Sequence, residues 1–215
     1  MTRAVVFIDG NNFYHNTQKE GLNPNKIDLR ELSKFVSNAF NCEWKETIYY
    51  NSIPDITHDK EKYHSHLGFL NSLRYLPNFT VRTKKLQTPS DKTLEKKKNE
   101  LIRNMDLCME CTSQIEEEYL KHLEDLTKKE KGIDVMIATD MMKKTLEDEC
   151  ERIILVTGDS QYVPILKLIE EQDKKPATSF VFEGYANELR EEFDYHVLRK
   201  KDLKNECYYT RIEEE

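Results

Sequence analysis

Little in this chain is built for a bilayer, for secretion or for a glycine-rich phosphate loop. No stretch reaches the roughly 18 apolar residues that a membrane crossing needs. The opening MTRAVVFIDG reads as a strand without the small-residue cleavage site of a secretory leader. The expectation is therefore a cytoplasmic protein with no membrane contact. The five cysteines, odd in number and scattered in spacing, make no disulfide framework. Neither G-x-G-x-x-G nor G-x-x-x-x-G-K-[ST] occurs, which argues against the common nucleotide-binding folds. The first strand ends in Asp-Gly-Asn rather than Asp-x-Asp, so a phosphoaspartate enzyme is also disfavoured. There is no internal repeat and no low-complexity linker.

What is present is charge, at 34% of residues, beside 38% hydrophobic residues, enough for a sizeable core in 215 residues. The net charge of −7 argues against a simple nucleic-acid coat, since phosphate binding needs cations. The total hides its distribution. Residues 82–103 carry eight lysines and arginines against three acids, while QIEEEYLKHLEDL and the terminal RIEEE hold much of the acid.

Short apolar or β-branched runs predict strands at 4–8, 45–51, 80–84, 152–157 and 177–182, with a weaker one at 196–198. Between them lie helical patterns. DLRELSKFVSNAF opens with Asp28 and has Glu31 three residues on, a capping-box arrangement. KEKYHSHLGFLNSLRYL, DVMIATDMMKKTLED and SQYVPILKLIEEQ are three more. Strands alternating with helices predict an α/β fold with a mostly parallel sheet covered on both faces. Residues 88–131 break the rhythm and read as a charged helical insertion, and 199–215 as a charged tail, within one domain spanning 1–215.

In an open parallel sheet, ligands gather beyond the carboxyl ends of the strands. Asp9 closes the first strand, and Asp159 the fourth, in ILVTGDSQYVP. If those strands are neighbours, two carboxylates share one edge, and their mutual repulsion is relieved by a divalent cation. Asp134, after Gly132 in KGIDVMIATD, can bring a third acid to that edge. Asp140 lies six residues further, about 120° round a helix, and is expected behind the ligands or as a cap. The neutral amides of Asn11 and Asn12 can hydrogen-bond a metal-bound water or a phosphate without adding charge. Gly10 is expected to let the backbone turn tightly, and Ser160 to cap the following helix.

Three segments, FIDGNNFYH, EKGIDVMIATDMM and ILVTGDSQYVPILKLIEE, resemble the NYN family of PIN-like ribonucleases in the family's own order, particularly its LabA-like members. The resemblance covers roughly residues 3–86 and 130–198. It implies a PIN-like three-layer sandwich and a Mg²⁺- or Mn²⁺-dependent endonuclease on RNA. By motif, Asp9, Asn12, Asp134 and Asp159 match the catalytic positions, with Asp140 on a further acidic one. The family pattern reads Gly-Asp-Ser-Asp where this chain has Gly158-Asp159-Ser160-Gln161, so one carboxylate is replaced by an amide. Lys131 is expected near the cut, with Arg82, Lys84 and Lys85 extending a phosphate track. Ser160 and Gln161 are further substrate contacts. The alternative is an RNA-binding or protein-interaction module with a degenerate site. Phe13 or Tyr14 could stack on a base or simply pack.

Cys108 and Cys111 have the spacing of half a zinc site. Completing it would take Cys42, Cys150, Cys207 or His122, or a second chain, and the insertion is a candidate dimer contact. His58, His64 and His66 are read as surface residues.

Overall fold

The six apolar runs become one sheet in the order β3-β2-β1-β4-β5-β6. The strands are β1 (Thr2–Asp9), β2 (Cys42–Ile53), β3 (Phe79–Lys85), β4 (Arg152–Val156), β5 (Lys175–Val181) and β6 (Asp194–Leu198). β1 pairs in parallel with both β2 and β4, β4 with β5, and β5 with β6. The computed structural model describes residues 2–53, 60–86, 91–103, 108–118, 132–147 and 150–209.

The central strand shows why the sequence chooses this architecture. Ala4, Val6 and Ile8 enter one apolar cluster, Val5 and Phe7 a second, and all five are wholly buried. Side chains alternate across a strand, so a continuous apolar run must be covered on both faces. One cover brings Phe13 from α1 (Gly10–Lys19), Leu29, Leu32 and Val36 from α2 (Leu29–Ala39), and Leu70 and Leu73 from α3 (Lys60–Arg74). The other brings Ile137 and Met141 from α6 (Ile133–Leu146), Leu166 and Ile169 from α7 (Val163–Glu170), and Leu189 from α8 (Asn187–Glu192). The result is the expected three-layer α/β sandwich. Each large side chain moved from water to such a cluster contributes about 1.5–3 kcal/mol.

Local capping agrees with the sequence in part. Asp28 accepts from the N–H groups of Arg30 and Glu31 at the start of α2, but Glu31 pairs with Lys34 instead of completing a capping box. Three expectations need correcting. α1 begins directly at Gly10 with Asp9 as its cap, where a turn was expected. The 199–215 segment is not merely a tail, because α9 (Lys200–Glu206) forms there and buries Leu203, followed by buried Cys207. Ser160 does not cap; Asp159 does, at the head of a single 3₁₀ turn, Ser160–Tyr162. Pro164 sits in the first turn of α7, where no amide partner is lost.

The chain divides into two compact units, residues 1–84 with 132–215, and residues 85–131. The second holds α4 (Asp91–Arg103) and α5 (Met109–Glu118). In the first unit the side chain of Lys84 lies against Gly132, whose φ is +83°. The points where the chain leaves and re-enters the sheet unit are thus within one lysine's reach.

Candidate active site

Parallel pairing of β1 with β4 aligns Ile8 with Val156, so Asp9 and the loop 157–159 emerge side by side at the carboxyl edge. Asp9 is buried, 6% exposed. Its Oδ1 accepts from Asn12 N–H at 3.1 Å and so fixes the first turn of α1. Its Oδ2 stands 3.4 Å from both the Thr157 hydroxyl and the Tyr162 hydroxyl. Asp134, in the first turn of α6, meets the same phenol through Oδ1 at 3.2 Å. One hydroxyl therefore touches carboxylates from two distant segments. Asp159 is tied in through its backbone: its N–H lies 3.4 Å from Thr157 Oγ1, and its own Oδ1 accepts from Gln161 N–H at 3.0 Å.

Electrostatics reports the same convergence. Burial pushes the Tyr162 phenol well above its ordinary range, and the charges of Asp9, Asp134 and Asp159 all push it further. The hydroxyl stays protonated and has one hydrogen to offer two carboxylates. Capping occupies one oxygen each of Asp9 and Asp159, and no hydrogen bond to the second Asp159 oxygen occurs among the described residues. Among those residues no three His, Cys, Asp or Glu side chains form a ready-made metal cage. Mg²⁺ and Mn²⁺ do not require one, since hard cations are held by one or two carboxylates with water and substrate oxygens completing the shell. The pair joined at Tyr162 fits that requirement.

The asparagines hold the frame. Asn12 Oδ1 accepts from Gly158 N–H at 2.9 Å and from Asn16 Nδ2 at 3.0 Å. Asn16, buried, also donates to the Gly184 carbonyl at 3.2 Å. α1 is thereby bolted to the loops after β4 and β5. Glycine is required twice here. A Cβ on Gly158 would fall 2.0 Å from Gly184 O, and Gly184, at φ +111°, has Asn16 Oδ1 2.4 Å from its own Cβ position. Gly10 serves close packing rather than a turn, because a Cβ there would strike the Tyr50 carbonyl and the Tyr49 ring.

The remaining expected residues are spread around this centre. Asn11 donates to Ser52 Oγ at 3.3 Å. Asp140 accepts from the Tyr50 hydroxyl at 2.8 Å and lies 3.5 Å from Arg82 Nε. That engagement ties both Asp140 and Arg82 to protein partners. Lys84 is exposed beside Gly132, Ser160 is half-buried and Gln161 exposed. Lys85 belongs to the inserted unit, and Lys131 and His122 lie outside the described residues. Phe13 is core, not a stacking platform. Cys108 and Cys111 are exposed, whereas Cys42, Cys150 and Cys207 are buried. Sequence reasoning passed over Tyr162, Thr157, Asn16 and Tyr50. Asn16 had one signal, its i, i+4 spacing from Asn12; Tyr162 looked like an ordinary apolar position.

A doubly covered parallel sheet whose carboxyl edge gathers acids from separate segments is consistent with a PIN-like sandwich. The chain belongs to the NYN domain family, which matches residues 3–200. No curated protein matches it in sequence. It is similar in fold to the crystal structure of a protein of unknown function from Vibrio parahaemolyticus RIMD 2210633, with a TM-score of 0.55 and 15% identity over 94% of each chain. Among the described residues no helix is long and apolar enough to cross a membrane.

Proposed function

We propose that the protein is an endoribonuclease dependent on Mg²⁺ or Mn²⁺. The observation that carries this reading is the shared hydroxyl of Tyr162, within hydrogen-bond reach of Asp9 and Asp134 and under the charge of Asp159. Membership of a PIN-like nuclease family supports hydrolysis of phosphodiesters. In this reading Asp9 and Asp134 hold the cation, and Asp159 reaches it through water. When bound, it polarises the scissile phosphate and makes a water nucleophilic at neutral pH. Asn12 keeps α1 in register with the Gly158 loop, so that Asp9 and Asp159 stay on one edge. Tyr162 holds a proton between the carboxylates and limits their repulsion. Lys84, exposed at the head of α6, can meet a phosphate oxygen, and Gln161 offers a neutral amide.

The test is cleavage of single-stranded RNA with Mn²⁺ by the natural chain and by Asp9→Asn, Asp134→Asn and Asp159→Asn. Each variant is expected to lose on the order of 10²-fold in rate. Undiminished cleavage in all three rejects the assignment.

A second reading, RNA binding without cleavage, is favoured by one observation: Gln161 puts a neutral amide where the family pattern has an acid, so the edge has one carboxylate fewer. Affinity for RNA that is the same in EDTA as in Mn²⁺, with no cleavage in either, identifies a binder.

A further inference from the structure

The inserted unit carries chemistry that the acid cluster does not use, and the inference drawn from it is independent of the nuclease reading. The cysteines fall into two environments. Cys42, Cys150 and Cys207 are buried, and burial pushes all three thiols up, Cys207 to about 12. Such thiols are protonated, shielded and inert. Cys108 and Cys111 are both exposed.

Their placement is specific. The Cys108 carbonyl accepts from Thr112 N–H at 2.9 Å and from the Thr112 hydroxyl at 3.0 Å, so Cys108 stands at the cap of α5 and Cys111 in its first turn. One turn separates their Cα atoms by about 5 Å, inside the range of roughly 4.4–6.8 Å that a disulfide spans. Cys111 beside it lowers the proton affinity of the Cys108 thiol, and the N-terminus of α5 likewise favours the thiolate. The pair also has no third cysteine, histidine or carboxylate placed to make a zinc site among the described residues.

We propose that Cys108 and Cys111 form a thiol–disulfide exchange site, with Cys108 attacking a low-molecular-weight disulfide and Cys111 resolving the product. The Cys108 thiolate bonds to one sulfur of the solute, breaking its S–S bond and releasing one thiolate. Cys111 then loses its proton to solvent and attacks the Cys108 sulfur, releasing the second thiolate. Two protein thiols are oxidised to one disulfide, and the solute disulfide is reduced to two thiols. The product is a cross-link across the first turn of α5.

The full chain is incubated at pH 7 in graded mixtures of oxidised and reduced glutathione, acid-quenched, alkylated and analysed by peptide mass. The expected result is a single linked Cys108–Cys111 peptide, two hydrogens lighter, reversed by reduced glutathione, with Cys42, Cys150 and Cys207 still reduced. Cys111→Ser is expected to trap one glutathione on Cys108, and Cys108→Ser to take up several-fold less in the same time. Equal trapping by both variants, no trapping by Cys111→Ser, or oxidation that instead links two chains would overturn the proposal.

Discussion

Tyr162 gives the acid cluster its most direct test, because one proton stands between carboxylates of different segments. Tyr162→Phe keeps the ring volume and removes only the donor. Leaving the buried Asp9 oxygen without it costs about 1–3 kcal/mol, so the melting temperature without metal should fall. Added Mn²⁺ should then stabilise the variant more than the natural chain, because the cation takes over the task of the lost hydrogen. Thermal melts with and without Mn²⁺ check both halves; an equal metal shift in the two proteins would show that Tyr162 does not act on the cation site. Gln161 offers the converse change. Gln161→Asp restores the acid of the family pattern at an exposed position, and is expected to tighten Mn²⁺ on the order of tenfold, measured by calorimetry.

At the scale of elements, the joint between α1 and the loops after β4 and β5 rests on Asn12, Asn16, Gly158 and Gly184. Gly184→Ala forces a Cβ into Asn16 at a backbone angle that L side chains rarely adopt. It should destabilise by about 1–3 kcal/mol, the usual cost of overpacking, read from urea unfolding. Asn16→Ala is expected to cost a similar amount by leaving the Gly184 carbonyl without its amide. This joint also marks where sequence reasoning stopped. The strands were legible because runs such as Val5–Ile8 have only one way to be buried. α1 was not, since GNNFYHN is rich in poor helix formers. Its helix is imposed from outside, by the Asp9 cap and by burial of Gly10, Phe13, Asn16 and Thr17 on one face. α9 was hidden for a different reason: its charged residues mask a single buried leucine. The acids Asp9, Asp134 and Asp159 could be named from strand ends, but not the tyrosine that joins them, because an aromatic beside an apolar run carries no sign of which atom it will face.

At the scale of the whole molecule, pH acts through His196. The ring packs edge-on against Phe35 and Phe40, and its Nε2 is a buried nitrogen without a hydrogen-bond partner. Burial lowers its proton affinity; nearby Asp202 opposes that and Arg199 adds to it. With the folded pKa below the unfolded value of about 6.5, the unfolded chain binds more protons between the two. Stability from this group is complete above about pH 6.5 and is lost as pH falls toward the folded pKa. Urea midpoints between pH 5 and 8 should show that decline, and His196→Phe should flatten it.

The root of the inserted unit matters at the same scale. Lys84 touching Gly132 means that a short link can join the two ends. Replacing residues 85–131 with a few glycines and serines should leave the sheet unit cooperatively folded, since shortening the connection roughly tenfold lowers its closure cost by about 2 kcal/mol; loss of the sigmoidal melt would show otherwise. Gly132 also stands two positions ahead of Asp134. Of the three acids, Asp134 is the one nearest in sequence to the appended segment, which ends three peptide bonds before it at residue 131. That root is also the shortest covalent path from the appended segment to the acid cluster.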